Sequence, residues 1–261
     1  MTMTPLTVSL ITFGCISAGA LSGFGLGLIL PEHHLSSDSK DAVKMAWGVL
    51  ATMSALVLGL LVASAKNSFD IVNNEVTEVA AKILVLNHIL ILYGPQADVA
   101  RNELHQAVAA AIKRDWPDEA ISAPTSTAVD KGNGMEGVRD KLNELSPATD
   151  AQRGLLSQAE QISDDLMLAR WLVIEESRTL LPAILFVPLV AWLTLLFTGI
   201  GLLAPHNKTV LTASFLGSFS LAVAIFLIND LSHPLSGVIT VSSAPMRDAL
   251  GYLSQLRWPS K

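Results

Sequence analysis

With 51% apolar and only 15% charged residues over 261 positions, and a mean hydropathy of +0.47, the chain is too poor in charge for an ordinary soluble domain and points to a bilayer. The net charge of −6 is concentrated in residues 66–178, which hold 11 of the 17 Lys and Arg and 18 of the 23 Asp and Glu. An acidic middle repels phosphate backbones and argues against nucleic acid as a partner. The single cysteine, Cys15, rules out an intrachain disulfide and a cysteine metal cluster.

Hydrocarbon about 30 Å thick requires about 20 apolar residues in a helix, because every backbone amide must be bonded internally. The first stretch to meet this requirement is Leu6 to Leu30, which carries no charge. The segment before it lacks the positive n-region of a secretory signal, so a retained helix is expected. Gly19, Gly23 and Gly27 recur at steps of four, a face without side chains that lets another helix approach backbone to backbone. That face is a candidate for packing within the chain or between subunits. The loop that follows holds Glu32, His33 and His34, and adjacent residues seldom share one coordination shell, so no metal site is expected.

Met45 to Ala65 is the second uncharged stretch. Beyond it Phe69, Val72, Val76, Val79, Ile83, Leu86, Leu90 and Tyr93 alternate steps of three and four, the seam of a helix packed lengthwise on another. Gly94-Pro95 ends it, since proline has no amide to donate. Shorter amphipathic helices are expected over Val99 to Trp116 and around Met135, Val138, Leu142 and Leu145. Between them, Pro117 to Gly134 reads as a loop. A second seam through Leu155, Ala159, Ile162, Leu166, Ala169 and Val173 predicts an antiparallel partner for the first.

Thr179 to Pro205 is the third uncharged stretch, interrupted by Pro182 and Pro188, and Thr209 to Asn229 is the fourth. On the fourth, Ser214, Gly217 and Ser218 form a hydroxyl and glycine face that could pack closely or line a narrow aqueous path. Asp230 ends that helix, and in a symmetric oligomer it would become a ring at a pore mouth. No ionisable side chain lies deep in any of the four stretches, which counts against a proton-coupled pump. The tail from Met246 to Leu256 sets Met246, Ala249, Leu250, Leu253 and Leu256 on one side, as an amphipathic helix does.

The fold expected is therefore an all-α membrane protein: transmembrane helices one and two over 1–65, a soluble helical bundle over 66–178, helices three and four over 179–230, and an amphipathic tail over 231–261. Four spans place both termini and the bundle on one side. Lys66, Lys82, Arg170, Arg178 and Arg247 on that side, against Lys40, Lys44 and Lys208 opposite, favour the cytoplasm.

Several runs resemble those of a known family. They are Ala65-Lys66-Asn67-Ser68-Phe69-Asp70, Leu92-Tyr93-Gly94-Pro95, Trp192-Leu193-Thr194-Leu195-Leu196-Phe197, and Gly201-Leu202-Leu203-Ala204-Pro205 with Asn207. Leu181-Pro182, Ala224-Ile225-Phe226-Leu227-Ile228, Pro234-Leu235-Ser236-Gly237 and Val241-Ser242-Ser243-Ala244-Pro245-Met246-Arg247-Asp248-Ala249-Leu250 complete the set. From about the second helix to Leu250 the chain is similar to the bestrophin-like family of bacterial membrane proteins, a domain of unknown function. Departures are Asp230, Ser232, Leu235, Thr240 and His206, where the family favours glutamate, aspartate, phenylalanine, arginine and arginine. The resemblance implies a homo-oligomer in the bacterial inner (plasma) membrane. By analogy with bestrophin anion channels it also implies passage of inorganic ions of unspecified selectivity. The alternative is a membrane-anchored signalling or interaction module whose helical bundle binds a protein. No catalytic residue, cofactor or metal is expected, since no nucleophile grouping or nucleotide-binding glycine loop is present.

Overall fold

A computed structural model describes residues 4–29, 37–117, 134–176, 183–205, 207–235 and 237–255. All regular elements among them are helical. In chain order they are α1 (Pro5–Ile29), α2 (Ser37–Tyr93), α3 (Asp98–Asp115), α4 (Met135–Asn143), α5 (Asp150–Glu176), α6 (Ala183–Leu203), α7 (Lys208–Leu231) and α8 (Ala244–Gln255), with a 3-10 turn at Pro95–Ala97. The chain forms two compact units: Met1–Phe69 with Thr179–Ile239, and Asp70–Arg178 with Thr240–Lys261.

In the first unit, α1, α2, α6 and α7 are each long and apolar enough to cross a membrane. All four contribute to one core, through Ile16, Leu61 and Ala65, Leu189 and Leu193, and Ile225 and Ile228, all at most 5% exposed. The outward residues are also apolar, Leu56, Leu60, Val187 and Leu216 among them, as a lipid-facing surface requires. Helix α6 continues through Pro188. Pro205 then stops it, and Asn207 caps α7 by accepting a hydrogen bond from the Val210 amide at 2.9 Å. No glycine or proline interrupts the chain between Gly59 and Gly94, so the second apolar stretch and the first seam form one 57-residue helix.

In the second unit, the α2 seam meets α5 in antiparallel register: Lys82 Nζ lies 3.6 Å from Asp165, and Gln152 Nε2 donates to the Tyr93 carbonyl at 3.1 Å. Val72, Val76, Ile83, Leu86, Leu90 and Tyr93 are buried, as are Ala159 and Leu166; the side chain of Val173 lies outside the described residues. Gln152 also helps to start α5, its backbone N–H donating to Thr149 Oγ1 at 3.2 Å, so one side chain joins the end of one helix to the beginning of the other. Gly94 turns the chain out of α2 with φ of 111°, a conformation that favours glycine. Leu104, Val108 and Ile112 of α3 are buried, as are Val138 and Leu142 of α4 and Met246, Ala249 and Leu253 of α8. Helix α3 packs against both α4 and α8. The buried Trp116 Nε1 donates to the Val241 carbonyl at 2.7 Å.

Candidate functional site

Two of the three expected packing glycines meet a helix of their own chain. A Cβ built on Gly19 would lie 2.7 Å from the Thr194 carbonyl oxygen. One on Gly23 would run into the Thr198 carbonyl and come 3.0 Å from the Leu202 amide nitrogen. From the other side, a Cβ on Gly201 would strike the Ala20 carbonyl and the Phe24 amide. The backbones of α1 and α6 thus touch, which is why these positions tolerate no side chain. Gly27, farther along the same face, is half-buried. Gly19 pairs near Thr194 and Gly23 near Thr198 and Leu202, so residue numbers rise together and the two helices run parallel. The threonine hydroxyls donate to their own helix, Thr194 to the Val190 carbonyl at 2.7 Å and Thr198 to that of Thr194 at 2.8 Å. Trp47 of α2 lies over Gly199, where a Cβ would strike its indole ring. Beside the α1–α6 crossing runs an open, apolar groove of about 870 Å³, lined by Val8, Cys15, Ser22, Phe186 and Val190 among others.

The small face of α7 is also turned inward. Ser214 and Ser218 are buried, and the Ser218 hydroxyl donates to the Ser214 carbonyl at 2.8 Å. Gly217 faces Phe197, whose ring would sit 3.2 Å from an added Cβ. Helix α7 packs on α1, with Phe13 6.5 Å from the Phe215 ring centre and edge-on to Phe219 at 6.3 Å. The structure therefore places the candidate pore serines against neighbouring helices of the same chain.

Asp230, the candidate pore-mouth acid, is 1% exposed. A carboxylate at a helix C-terminus opposes the helix dipole and needs compensation. Here Oδ1 accepts from the Val238 amide at 2.9 Å and Oδ2 from the Ile239 amide at 2.8 Å. Gly237 makes the approach possible, since a Cβ there would be 2.8 Å from Oδ1. The backbone amide of His233 donates to the Asp230 carbonyl at 2.9 Å, and that of Gly237 to the His233 carbonyl, also at 2.9 Å. Ser232 Oγ donates to the Ile228 carbonyl and His233 Nδ1 to the Asn229 carbonyl, both at 2.8 Å. The carbonyls of Ile228, Asn229 and Asp230, at the end of α7, thereby find donors.

Of the remaining histidines, His88 is exposed and His105 half-buried. Among the described residues no three His, Cys, Asp or Glu side chains come together as a metal site. Glu32, His33, His34, Pro182, His206, Leu256, Trp258 and most of the expected loop from Pro117 to Gly134 lie outside the described residues. In the second unit Lys82 bridges Glu78 at 3.0 Å and Asp165 at 3.6 Å, beside a cleft of about 160 Å³. These are surface ion pairs that contribute little to stability.

A family model described as a bestrophin-like domain matches residues 14–246. The chain belongs to the bestrophin-like family. No curated protein and no solved structure matches it. The bestrophin-like match begins inside α1 and ends in the first turn of α8, so it takes in the glycine–threonine crossing and the Asp230 turn. Family membership and four helices of membrane length make this bestrophin-like chain an integral membrane protein. Sequence reasoning missed the partners of its key residues. Thr194, Thr198 and Gly201, at steps of four and three on α6, were the available signal for the partner of Gly19 and Gly23. Gly237 was visible as part of a family motif, without its tie to Asp230.

Proposed function

We propose that the protein is a homo-oligomeric, bestrophin-like ion channel of unspecified selectivity, and that ions pass between copies of the chain. The observation that carries this reading is the closed interior of the first unit. Its four helices meet on Ile16, Leu61, Leu189 and Ile225, each at most 1% exposed, and ions do not cross such packing. A conducting path then requires surfaces contributed by several copies. Membership of the bestrophin-like family supports the same assembly. Purified protein in liposomes gives ion flux above that of empty vesicles; silence of a well-folded preparation across salts and pH overturns the proposal.

The membrane is the bacterial plasma membrane, with both termini and the second unit in the cytoplasm. Two observations support this orientation. Parallel packing of α1 and α6 requires the chain between them to recross the bilayer an odd number of times, and Met45–Ala65 supplies one crossing. The flanking Lys and Arg outnumber those of the opposite loops. The protein carries out no catalysis in this reading.

A second reading, a membrane-anchored interaction or signalling module, is favoured by the second unit. That unit has its own core around Leu86, Leu104 and Val138, and the sequence between 66 and 178 has an excess of seven acidic over basic residues. Purification from native membranes tests it: a reproducible protein partner supports the module, and recovery of the chain only with itself counts against it.

A further inference from the structure

We infer that the turn after α7 is a membrane-inserted element, which holds Val238 and Ile239 in the lipid at the headgroup–hydrocarbon boundary and is fastened there by Asp230. The apolar stretch Thr209–Asn229 is roughly 31 Å long at about 1.5 Å per residue, so it reaches across the hydrocarbon and leaves Asp230 at its edge. Eight and nine residues later the chain has come back to the same level, because the amides of Val238 and Ile239 lie 2.9 and 2.8 Å from the Asp230 carboxylate. Val238 is nonetheless 80% exposed and Ile239 39%. Two apolar side chains held at this depth continue the lipid-facing surface formed higher on α7 by Leu216, Phe219, Val223 and Leu227, which are exposed as well.

The hydrogen bonds of the turn fit that location. Irregular backbone is tolerated at the bilayer edge only where its polar groups find partners in the protein. Here the Asp230 carboxylate accepts from the returning amides of Val238 and Ile239, and Ser232, His233 and Gly237 supply the other bonds described above. Pro234, which has no amide to satisfy, is buried. Its depth at the end of an apolar span and its continuity with the exposed face of α7 make the bilayer the occupant of the Val238 surface.

The inference is independent of ion passage and is tested on the full-length protein in phosphatidylcholine–phosphatidylglycerol vesicles. Cys15→Ser removes the native thiol, and Val238→Cys then takes a nitroxide spin label. Collisional relaxation by oxygen, which concentrates in lipid, is compared with that by a water-soluble nickel chelate. Leu216→Cys and Glu144→Cys serve as the lipid and water references. The expected label at 238 favours oxygen severalfold over the chelate, relative to the Glu144 reference. Dominance of the chelate overturns the inference, and so does shielding from both reagents, which would mean that protein covers the site. Ile239→Cys gives a second reading of the same surface if the first variant does not incorporate. Adding Asp230→Asn, which leaves only one oxygen to accept, shifts the label severalfold toward the chelate; an unchanged ratio overturns the role given to Asp230.

Discussion

Gly23 and Gly25 are two residues apart on α1, yet a methyl group at the first would meet the Thr198 backbone and at the second would meet nothing within 4 Å. Gly23→Ala should therefore force α1 and α6 apart and cost about 1–3 kcal/mol, while Gly25→Ala stays within about 0.5 kcal/mol. Unfolding of the two variants in detergent, side by side, checks this; equal stabilities would mean that the crossing is not tight. At the end of α7, Asp230→Ala would orphan two amides, at about 1–3 kcal/mol for each that stays buried, measured in the same assay. The sequence made Gly19, Gly23 and Gly27 visible as a face because spacing along one helix is local information. It could not name the opposing residues, because Thr194 and Thr198 lie more than 150 positions away. For Asp230 the difficulty was greater. An acid at a helix end reads more readily as an interfacial carboxylate than as a pore ring, and only the return of Val238 and Ile239 gives its oxygens their partners.

Among the elements, the four uncharged stretches and both seams were legible because burial in lipid or against a partner helix leaves a periodic record. The terminators were legible too: Gly94-Pro95 ends α2, and α3 stops just before Trp116 and Pro117. The length of α2 was harder to read, since its residues change from lipid-facing to seam-forming near Phe69 without any break in helical character. The side-chain caps give a prediction at this scale. Asn207→Ala removes the acceptor for the Val210 amide at the start of α7 and should cost about 0.5–2 kcal/mol, while Asn207→Asp, which retains an acceptor, should recover most of it. Thermal unfolding of both variants decides; a loss of equal size in Asp would assign the residue some other role.

For the whole molecule, the two units make separate demands on the chain. The first keeps its apolar exterior, so the full-length protein should stay in the membrane fraction after high-salt and alkaline washing and leave it only with detergent. The second is completed by the C-terminal segment, since α8 covers α3 and Val241 accepts the Trp116 indole hydrogen. Trp116→Phe leaves that carbonyl buried without its donor and should destabilise the unit by about 1–3 kcal/mol. Deletion of residues 240–261 should do more, baring the side of α3 that α8 covers and giving aggregates on size exclusion in detergent. A monodisperse truncated protein would show that α8 is dispensable. The Trp116–Val241 bond also sets a timetable for biosynthesis. The two residues are 125 positions apart, so a ribosome adding about 5–20 residues per second needs roughly 6–25 s to supply the acceptor after the donor has been made. Throughout that interval the last two spans are being threaded into the bilayer and the nascent α3 lacks the part of its cover that α8 supplies. Chaperones that shield apolar helices therefore have a defined window in which to act, and a chain stalled before Val241 offers proteases a substrate that the finished protein conceals.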